Sequence, residues 1–149
     1  MYYKNTGQAL VQKISTPVSI VRRGNKIVSA FYKEKSTLDF RGTVKGGLSI
    51  SFDCKECEEE KGLPLKHIQE HQIEYIRSAL EIGETNFILC SMKKLNKVFF
   101  ISGEIAIEYW DRWKANKGKR GYNYIPVLDM KEIQYGENAN LDYLKALVK

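Results

Sequence analysis

Two acids and a lysine stand in the short segments TLDFR and SFDCK, and their types suit metal-dependent hydrolysis. Asp39 lies in the first segment, and Asp53 and Lys55 lie two residues apart in the second. Carboxylate oxygens are the ligands that Mg²⁺ and Mn²⁺ prefer, and Mg²⁺ usually keeps several waters. A lysine beside them can stabilise a developing oxyanion or orient a water. The combination suits hydrolysis of a phosphodiester, in which a metal lowers the pKa of a water and neutralises phosphate charge.

The strands that carry these residues set the distance between the acids. Apolar and polar residues alternate in both segments, which predicts strands with one apolar and one polar face. Gly46 and Gly47 can form the turn between them, and a three-residue loop over 45–47 places Asp39 opposite Asp53 and Thr37 opposite Lys55. Opposed carboxylates repel each other unless a cation lies between them. The register favours a metal site, although solvated strand residues remain the alternative on the residues alone.

A cysteine site is the competing interpretation of the same stretch. Cys54 and Cys57 lie three residues apart, but a zinc site needs two further soft ligands. Cys90 lies in an apolar run, and His67 and His71 lie four apart on a predicted helix. This spacing matches no common zinc pattern. The alternation places Cys54 on the apolar face, where cysteine behaves as a small hydrophobic residue.

The rest of the chain predicts one α/β domain over residues 1–149. Strand-like segments come first, then a helix over 64–83, then two apolar strands, then a second helix over 103–118 and a closing helix near the end. Pro64 suits the first turn of the first helix, and Gly83 suits its end. This order predicts a mixed sheet flanked by helices.

Composition limits the classes of partner and compartment. The apolar fraction of 43% is typical of a globular chain rather than a disordered one. The net charge of +6 is compatible with a polyanionic partner and equally with simple solubility. The chain has no apolar run of about 18 residues, no signal pattern and an odd number of cysteines, so we expect a cytoplasmic protein without a membrane span.

The string FYKEKSTLDFRGTVKGGLSISFDCKE, followed by LPLKHIQEHQIEYI, resembles the RecU-type Holliday junction resolvases. These are nucleases of the PD-(D/E)xK superfamily in Gram-positive bacteria and their phages. The resemblance extends from GQALVQKISTPVSIV to YIPVLDMKEI and covers nearly the whole chain. It implies a restriction-endonuclease-like fold with a projecting stalk at about 21–35. It also implies a homodimer that resolves four-way DNA junctions by paired symmetric nicks, with Mg²⁺, or Mn²⁺ in its place, as cofactor.

The resemblance implies a role for each matching residue. Asp39 and Asp53 would be metal ligands, Lys55 the catalytic lysine, and Thr37 the holder of a metal-bound water. Gln72 would contact the site or DNA, with an exposed helix glutamine as the alternative. The expected DNA-binding residues are basic and lie in the stalk, near the catalytic strands and in a later loop: Arg22, Arg23, Lys26, Lys33, Lys35, Arg41, Lys66, Lys119 and Arg120.

Two departures from the family pattern qualify the expected activity. Asp53 stands where the family usually has glutamate, and Met1 aligns with the end of the family's acidic first helix. We therefore expect either a phage-like version that dispenses with most of that helix or a misplaced start, and in both cases an acid from that helix is missing. A junction-binding recombination factor that does not cleave is the alternative function, and a nuclease for another DNA shape is a third.

Overall fold

The computed structural model describes residues 7–15, 18–32, 37–134 and 143–147. Within these ranges the chain forms ten β-strands and two α-helices. The strands are, in chain order, β1 (Ala9–Lys13), β2 (Val18–Arg23), β3 (Lys26–Tyr32), β4 (Phe40–Val44), β5 (Leu48–Cys57), β6 (Gly62–Pro64), β7 (Thr85–Met92), β8 (Lys97–Ser102), β9 (Tyr124–Pro126) and β10 (Lys131–Ile133). The helices are α1 (Glu70–Glu81) and α2 (Gly103–Ala115).

Six strands form one mixed sheet in the order β1-β4-β5-β7-β8-β10. The central strands β5 and β7 are parallel, and the other neighbours are antiparallel. A parallel pair needs a long crossover, which α1 supplies between these two strands. The predicted α/β class, with a mixed sheet flanked by helices, is confirmed.

The β4–β5 hairpin has the register that the alternation predicted. Phe40 pairs with Phe52, and Val44 pairs with Leu48, so the loop is 45–47. Gly46 and Gly47 both adopt positive φ, at 97° and 94°, which L side chains rarely tolerate. The register that places Asp39 next to Asp53 is therefore confirmed.

One face of the sheet, the apolar face, is held by a row of stacked aromatic rings. Phe40, Phe52, Phe87 and Phe100 come from four neighbouring strands, with successive ring centroids 4.9, 4.7 and 4.8 Å apart. Tyr143 lies against Phe52 with a centroid distance of 5.0 Å. Tyr143 belongs to the 3₁₀ segment Tyr143–Leu147, and the rest of the predicted closing helix lies outside the described residues. This face buries the large apolar residues of β5 and β7.

The opposite face, the helix face, is covered by α1 and α2. Ile73 of α1 and Ala106 of α2 pack in one buried cluster with Ile88 of β7. The cover extends over the polar side chains of β5, because Ser51 and Asp53 are fully buried there. The strand that carries the acid is therefore buried on both faces over its central part.

Cys54 lies on the apolar face, as the alternation predicted, because it pairs with Leu89 of that face, but its side chain is exposed rather than part of the core. The ladder between β4 and β5 ends at the pair Phe40 and Phe52, so no β4 residue lies beside Cys54. Cys57 and Cys90 are buried free thiols. Burial raises the pKa of the Cys90 thiol to about 12, which is typical of an inert core cysteine.

Both helices are shorter than predicted, and local interactions explain their ends. Pro64 belongs to β6 rather than to the first turn of α1, because residues 62–64 pair with β9. A 3₁₀ turn follows at Leu65–His67, and α1 ends before Gly83, whose φ is 91°. At the start of α2 the Ser102 hydroxyl accepts a hydrogen bond from the Ile105 amide at 3.2 Å. Neither described α-helix is long and apolar enough to cross a lipid bilayer.

Strands β2 and β3 form a separate two-stranded ribbon. Gly24, with φ of 64°, lies in its turn, and a bulge interrupts the pairing between Val21 and Arg22. Every described side chain from 20 to 29 is exposed, including four apolar ones. The ribbon spans 18–32, so it overlaps the predicted stalk at 21–35, of which 33–35 lie outside the described residues.

Candidate active site

Asp53 and Lys55 form a buried ion pair on the helix face. Lys55 Nζ lies 2.7 Å from Asp53 Oδ2, and their side chains are 16% and 2% exposed. The two residues share a face because they are two positions apart on β5. A charged pair removed from water is expensive unless hydrogen bonds satisfy its remaining atoms. The surroundings of this pair must therefore supply further polar partners.

Gln72 of α1 supplies partners to both charged groups. Its Nε2 donates to Asp53 Oδ2 at 2.8 Å, and its Oε1 accepts from Lys55 Nζ at 3.0 Å. The backbone amide of Gln69 also donates to Gln72 Oε1, at 3.1 Å. These bonds determine which way the amide points and tie the start of α1 to β5. Gln72 is thus a buried contact of the site, and the alternative of an exposed helix glutamine is excluded.

The Asp39 carboxyl is a direct neighbour of the Asp53 carboxyl. Asp39 directly precedes β4, and its carbonyl accepts from the Ile14 amide of the chain beside it at 2.6 Å. Burial and then the neighbouring Asp39 raise the pKa of the Asp53 carboxyl, whereas Lys55 lowers it. The structure therefore brings together the two carboxyls, hereafter the acid pair, in a place where both cannot ionise without cost.

Thr37 lies before the first residue of β4, so the ladder does not extend to a pair with Lys55. Its hydroxyl donates to the carbonyl of Leu38 at 3.1 Å. Leu38 is fully buried and anchors the chain just before Asp39. The part of Thr37 in holding a metal-bound water stays a prediction.

The acid pair fits a small divalent cation. Asp53 Oδ1 is buried and accepts no hydrogen bond from the described residues, so one hard oxygen remains available. The described chain contains no group of three or more His, Cys, Asp or Glu side chains that could hold a metal. Mg²⁺ is commonly bound by one or two carboxylates, with waters and substrate phosphates completing its shell. Two carboxylates and an available oxygen match that pattern.

The comparisons with known proteins assign the chain to a family. The family model described as RecU, Recombination protein U, matches residues 1–149. The chain belongs to the RecU family. A Holliday junction resolvase RecU of Oenococcus oeni is 32% identical over 156 residues, which cover 99% of this chain and 78% of the relative. A protein of the same name from Pediococcus pentosaceus is 32% identical over 158 residues, with 99% and 76% covered.

A solved structure gives a weaker likeness. Archaeoglobus fulgidus Hjc, a Holliday junction resolvase, matches with a TM-score of 0.37 and 13% identity over 59% of this chain and 65% of that one. RecU membership rests on the family model and the two relatives, and it confirms the resemblance seen in the sequence. The roles of individual residues stay predictions.

A second buried polar cluster, absent from the sequence-based prediction, lies beside the acid pair. Glu84 is buried, and its Oε1 accepts from Tyr75 at 3.1 Å, from Asn86 at 2.9 Å and from the Ser51 hydroxyl. Its Oε2 lies 3.6 Å from a guanidinium nitrogen of Arg41. The sequence gives only a weak indication of this cluster. Ser51 shares the polar face with Asp53, but Ser51 and Asn86 pair across two parallel strands that are far apart in the sequence, so their pairing leaves no local pattern.

The predicted DNA-binding residues that the structure describes lie in four places. Those on the ribbon and those after α2 are exposed, Arg41 lies at the edge of the site, and Lys66 is exposed in the turn before α1. Lys33 and Lys35 lie outside the described residues. The predicted DNA-binding residues of the ribbon and of the loop after α2, all of them exposed, are Arg22, Arg23, Lys26, Lys119 and Arg120.

Trp110 and Trp113 of α2 lie shortly before the basic loop that carries Lys119 and Arg120, and both pack in the helix-face core. Trp110 is buried in the helix-face core, and Trp113 meets it edge-on at 5.3 Å between ring centroids. Lys114 Nζ lies 4.8 Å from the Trp110 ring and 4.5 Å from the Trp113 ring. These aromatic faces are already occupied by a cation of the same chain, so this pairing does not itself indicate a base-stacking site.

The geometry of Gln72 gives a first prediction. We expect Gln72→Leu to slow junction cleavage about tenfold, because a buried amide that orients two charged groups contributes roughly 1.5–3 kcal/mol. The measurement is the single-turnover cleavage rate. Gln69→Ala is the matched control, since it alters the same end of α1 and leaves the Gln72 side chain in place. Equal rates for Gln72→Leu and the parent would contradict the prediction.

Proposed function

We propose that residues 1–149 act as one nuclease domain that resolves four-way DNA junctions by metal-dependent hydrolysis of phosphodiesters. The observation that carries the proposal is the buried arrangement of the acid pair with Lys55 and Gln72. The relatives named Holliday junction resolvase RecU support the choice of substrate. The cytoplasmic location expected from the sequence stays a prediction.

Each residue of the site would have its own role in the reaction. Asp39 and Asp53 would hold Mg²⁺, with Mn²⁺ able to replace it. When bound, the cation supplies a water of lowered pKa and neutralises charge on the phosphate. Lys55 places a fixed positive charge where the phosphate becomes more negative, and Gln72 holds that ammonium in position. Helix α1 covers Asp53 and keeps bulk water from these charges, which strengthens their interaction.

We infer that the DNA is gripped by a homodimer, because two like nicks across a four-way junction need two sites related by a two-fold axis. The net charge of +6 supplies attraction that depends on salt and not on base sequence. The ribbon, whose described side chains from 20 to 29 are all exposed, would enter the junction. The shape of the junction, rather than its sequence, would then select the substrate.

The direct test uses labelled four-way junctions and linear duplexes of the same sequence, with Mg²⁺, Mn²⁺ or Ca²⁺. The expected result is paired nicks in junctions with Mg²⁺, weak action on duplexes and no cutting by Asp39→Ala. Junction binding without cutting, by parent and variant alike, would instead indicate a recombination factor that does not cleave. Equal cutting of junctions and duplexes would contradict the junction preference.

The ribbon gives a second prediction. We expect the double variant Arg22→Gln, Arg23→Gln to bind junctions about tenfold more weakly, because both exposed guanidiniums would contact phosphates. The dependence of log affinity on log salt should become shallower by about two. A charge-matched control is Lys94→Gln, Lys97→Gln at the turn between β7 and β8, where binding should change little. A larger loss in the control would place the DNA on that side instead.

A further inference from the structure

The buried carboxylate of Glu84 lies beside the acid pair. Arg41 is two residues after Asp39, Ser51 is two residues before Asp53, and Arg41 pairs with Ser51 across the hairpin. A step of two residues along a strand is roughly 7 Å. Glu84 bonds to Ser51 and pairs with Arg41, so it lies under the rung of the hairpin next to the acids.

The two oxygens of Glu84 have different surroundings. Oε1 accepts hydrogen bonds from the side chains of Tyr75, Asn86 and Ser51. Oε2 lies 3.4 Å from the Ser49 hydroxyl and 3.6 Å from Arg41. One oxygen is therefore held in the interior by neutral donors, and the other points toward a cation at the edge of the site.

Arg41 is placed to act on something outside the protein. Its side chain is 50% exposed, whereas that of Glu84 is 5% exposed. A guanidinium has five N–H donors in a planar fork that matches phosphate oxygens, and one ion pair leaves several of them available. A long exposed arginine samples many rotamers unless something holds it. Glu84 is rigid through its three neutral donors and is suited to hold it.

We propose that Glu84 is a positioning residue that fixes Arg41 beside the acid pair, so that the guanidinium binds a DNA phosphate flanking the bond that is cut. This inference rests on the proposed function, because it takes junction DNA as the ligand. The phosphate-binding site would then include a buried acidic residue, Glu84, which a search for exposed basic residues would miss. It also explains why a carboxylate lies close to the expected path of the DNA, although its negative charge would repel the phosphates.

The decisive variant is Glu84→Gln. It keeps the shape of the side chain and the Oε1 acceptor, and it replaces only the oxygen that faces Arg41 with an amide. Arg41→Ala, the double variant and the exposed Glu81→Gln complete the set. Glu81→Gln removes the same charge near the end of α1 and serves as the matched control. Thermal unfolding verifies that each variant is folded.

Two readouts are measured for every variant: the single-turnover cleavage rate in Mg²⁺, and junction affinity in Ca²⁺ across a salt series. We expect Arg41→Ala to lower both rate and affinity about tenfold and to make the salt dependence shallower by about one. Glu84→Gln should lower both about fivefold, although it makes the protein more positive. The double variant should be no worse than Arg41→Ala alone, because the two residues act as a unit.

Opposite results would overturn the inference. If Glu84→Gln binds DNA more tightly and cuts at the parental rate, as Glu81→Gln should, the carboxylate does not position Arg41. Losses that multiply in the double variant would show two independent effects. If Glu84→Gln fails to fold, Arg41→Lys replaces it: this variant keeps the charge, so an unchanged rate and affinity would also overturn the inference. If the parent binds junctions and never cuts them, the proposed hydrolysis fails, while the affinity series still tests the positioning role.

Discussion

Asp39→Asn is expected to abolish junction cleavage and at the same time to make the metal-free protein more stable. The acid pair lies in a largely buried place, and Asp39 raises the pKa of Asp53. Removing one of the two charges relieves a repulsion of about 1 kcal/mol. The ion pair between Asp53 and Lys55 remains. Cleavage should fall at least about a hundredfold, because metal charge stabilisation contributes several kcal/mol to the transition state.

Thermal unfolding with and without Mg²⁺ measures both parts of this prediction. A ligand at a hundred times its Kd stabilises a protein by about 2.7 kcal/mol. Mg²⁺ should stabilise the parent by an amount of this size, and it should stabilise Asp39→Asn far less. The exposed Asp111→Asn, which loses a surface pair with Arg77, is the control and should respond to Mg²⁺ as the parent does. An equal Mg²⁺ response in Asp39→Asn would show that the cation binds elsewhere.

The difference in stability between Asp39→Asn and the parent should depend on pH, and the raised pKa of Asp53 gives its sign. A carboxyl whose pKa is raised on folding stabilises the protein while it is protonated in both states, and that contribution is lost as pH rises through the folded pKa. The metal-free parent should therefore lose stability as pH rises through the raised pKa of Asp53. Asp39→Asn should lose less. The stability difference between the two proteins should shrink as pH falls, and a constant difference would contradict the repulsion.

The hairpin that carries the acids was predictable from the sequence, because its determinants are local. Alternation in the two segments limits the hairpin to registers that keep both apolar sets on one face, and the two glycines between them favour the register with a three-residue loop. That register places Asp39 beside Asp53. The exposure of Cys54 on that face was not predictable, because alternation does not encode where the neighbouring strand ends.

The parts of the site that come from elsewhere in the chain were not predictable in the same way. Gln72 was singled out through resemblance alone, and its bonds to Asp53 and Lys55 depend on which face α1 covers. Glu84 and Asn86 reach Ser51 only through the parallel register of β5 and β7. A crossover of 27 residues, 58–84, separates those strands, so no short-range pattern records their alignment.

Lys55→Met is expected to lose junction cleavage and to keep junction affinity. The Lys55 ammonium is bonded to Asp53 Oδ2 and Gln72 Oε1, and its side chain is 16% exposed, so it faces the site rather than the surface. In the proposed mechanism its charge would act on the reacting phosphate and not on the DNA at large. We expect the single-turnover rate to fall at least about a hundredfold. Affinity measured in Ca²⁺ should stay within about twofold of the parent.

Removing Lys55 also leaves Asp53 without its cation. The resulting change in folding stability can be measured separately from the change in cleavage rate. Breaking a buried pair on one side typically costs about 3–5 kcal/mol. Asp53 can reduce that cost by taking up a proton, because burial already raises its pKa. Thermal unfolding should therefore show a Lys55→Met protein that is destabilised at neutral pH and recovers part of its stability as pH falls.

The control for Lys55→Met is Lys97→Met, which removes an exposed lysine paired with Glu132 at 3.6 Å. It should cut at the parental rate, because a surface pair contributes at most about 1 kcal/mol and lies outside the site. If junction affinity collapses in Lys55→Met while the control stays normal, the lysine is a DNA-binding residue.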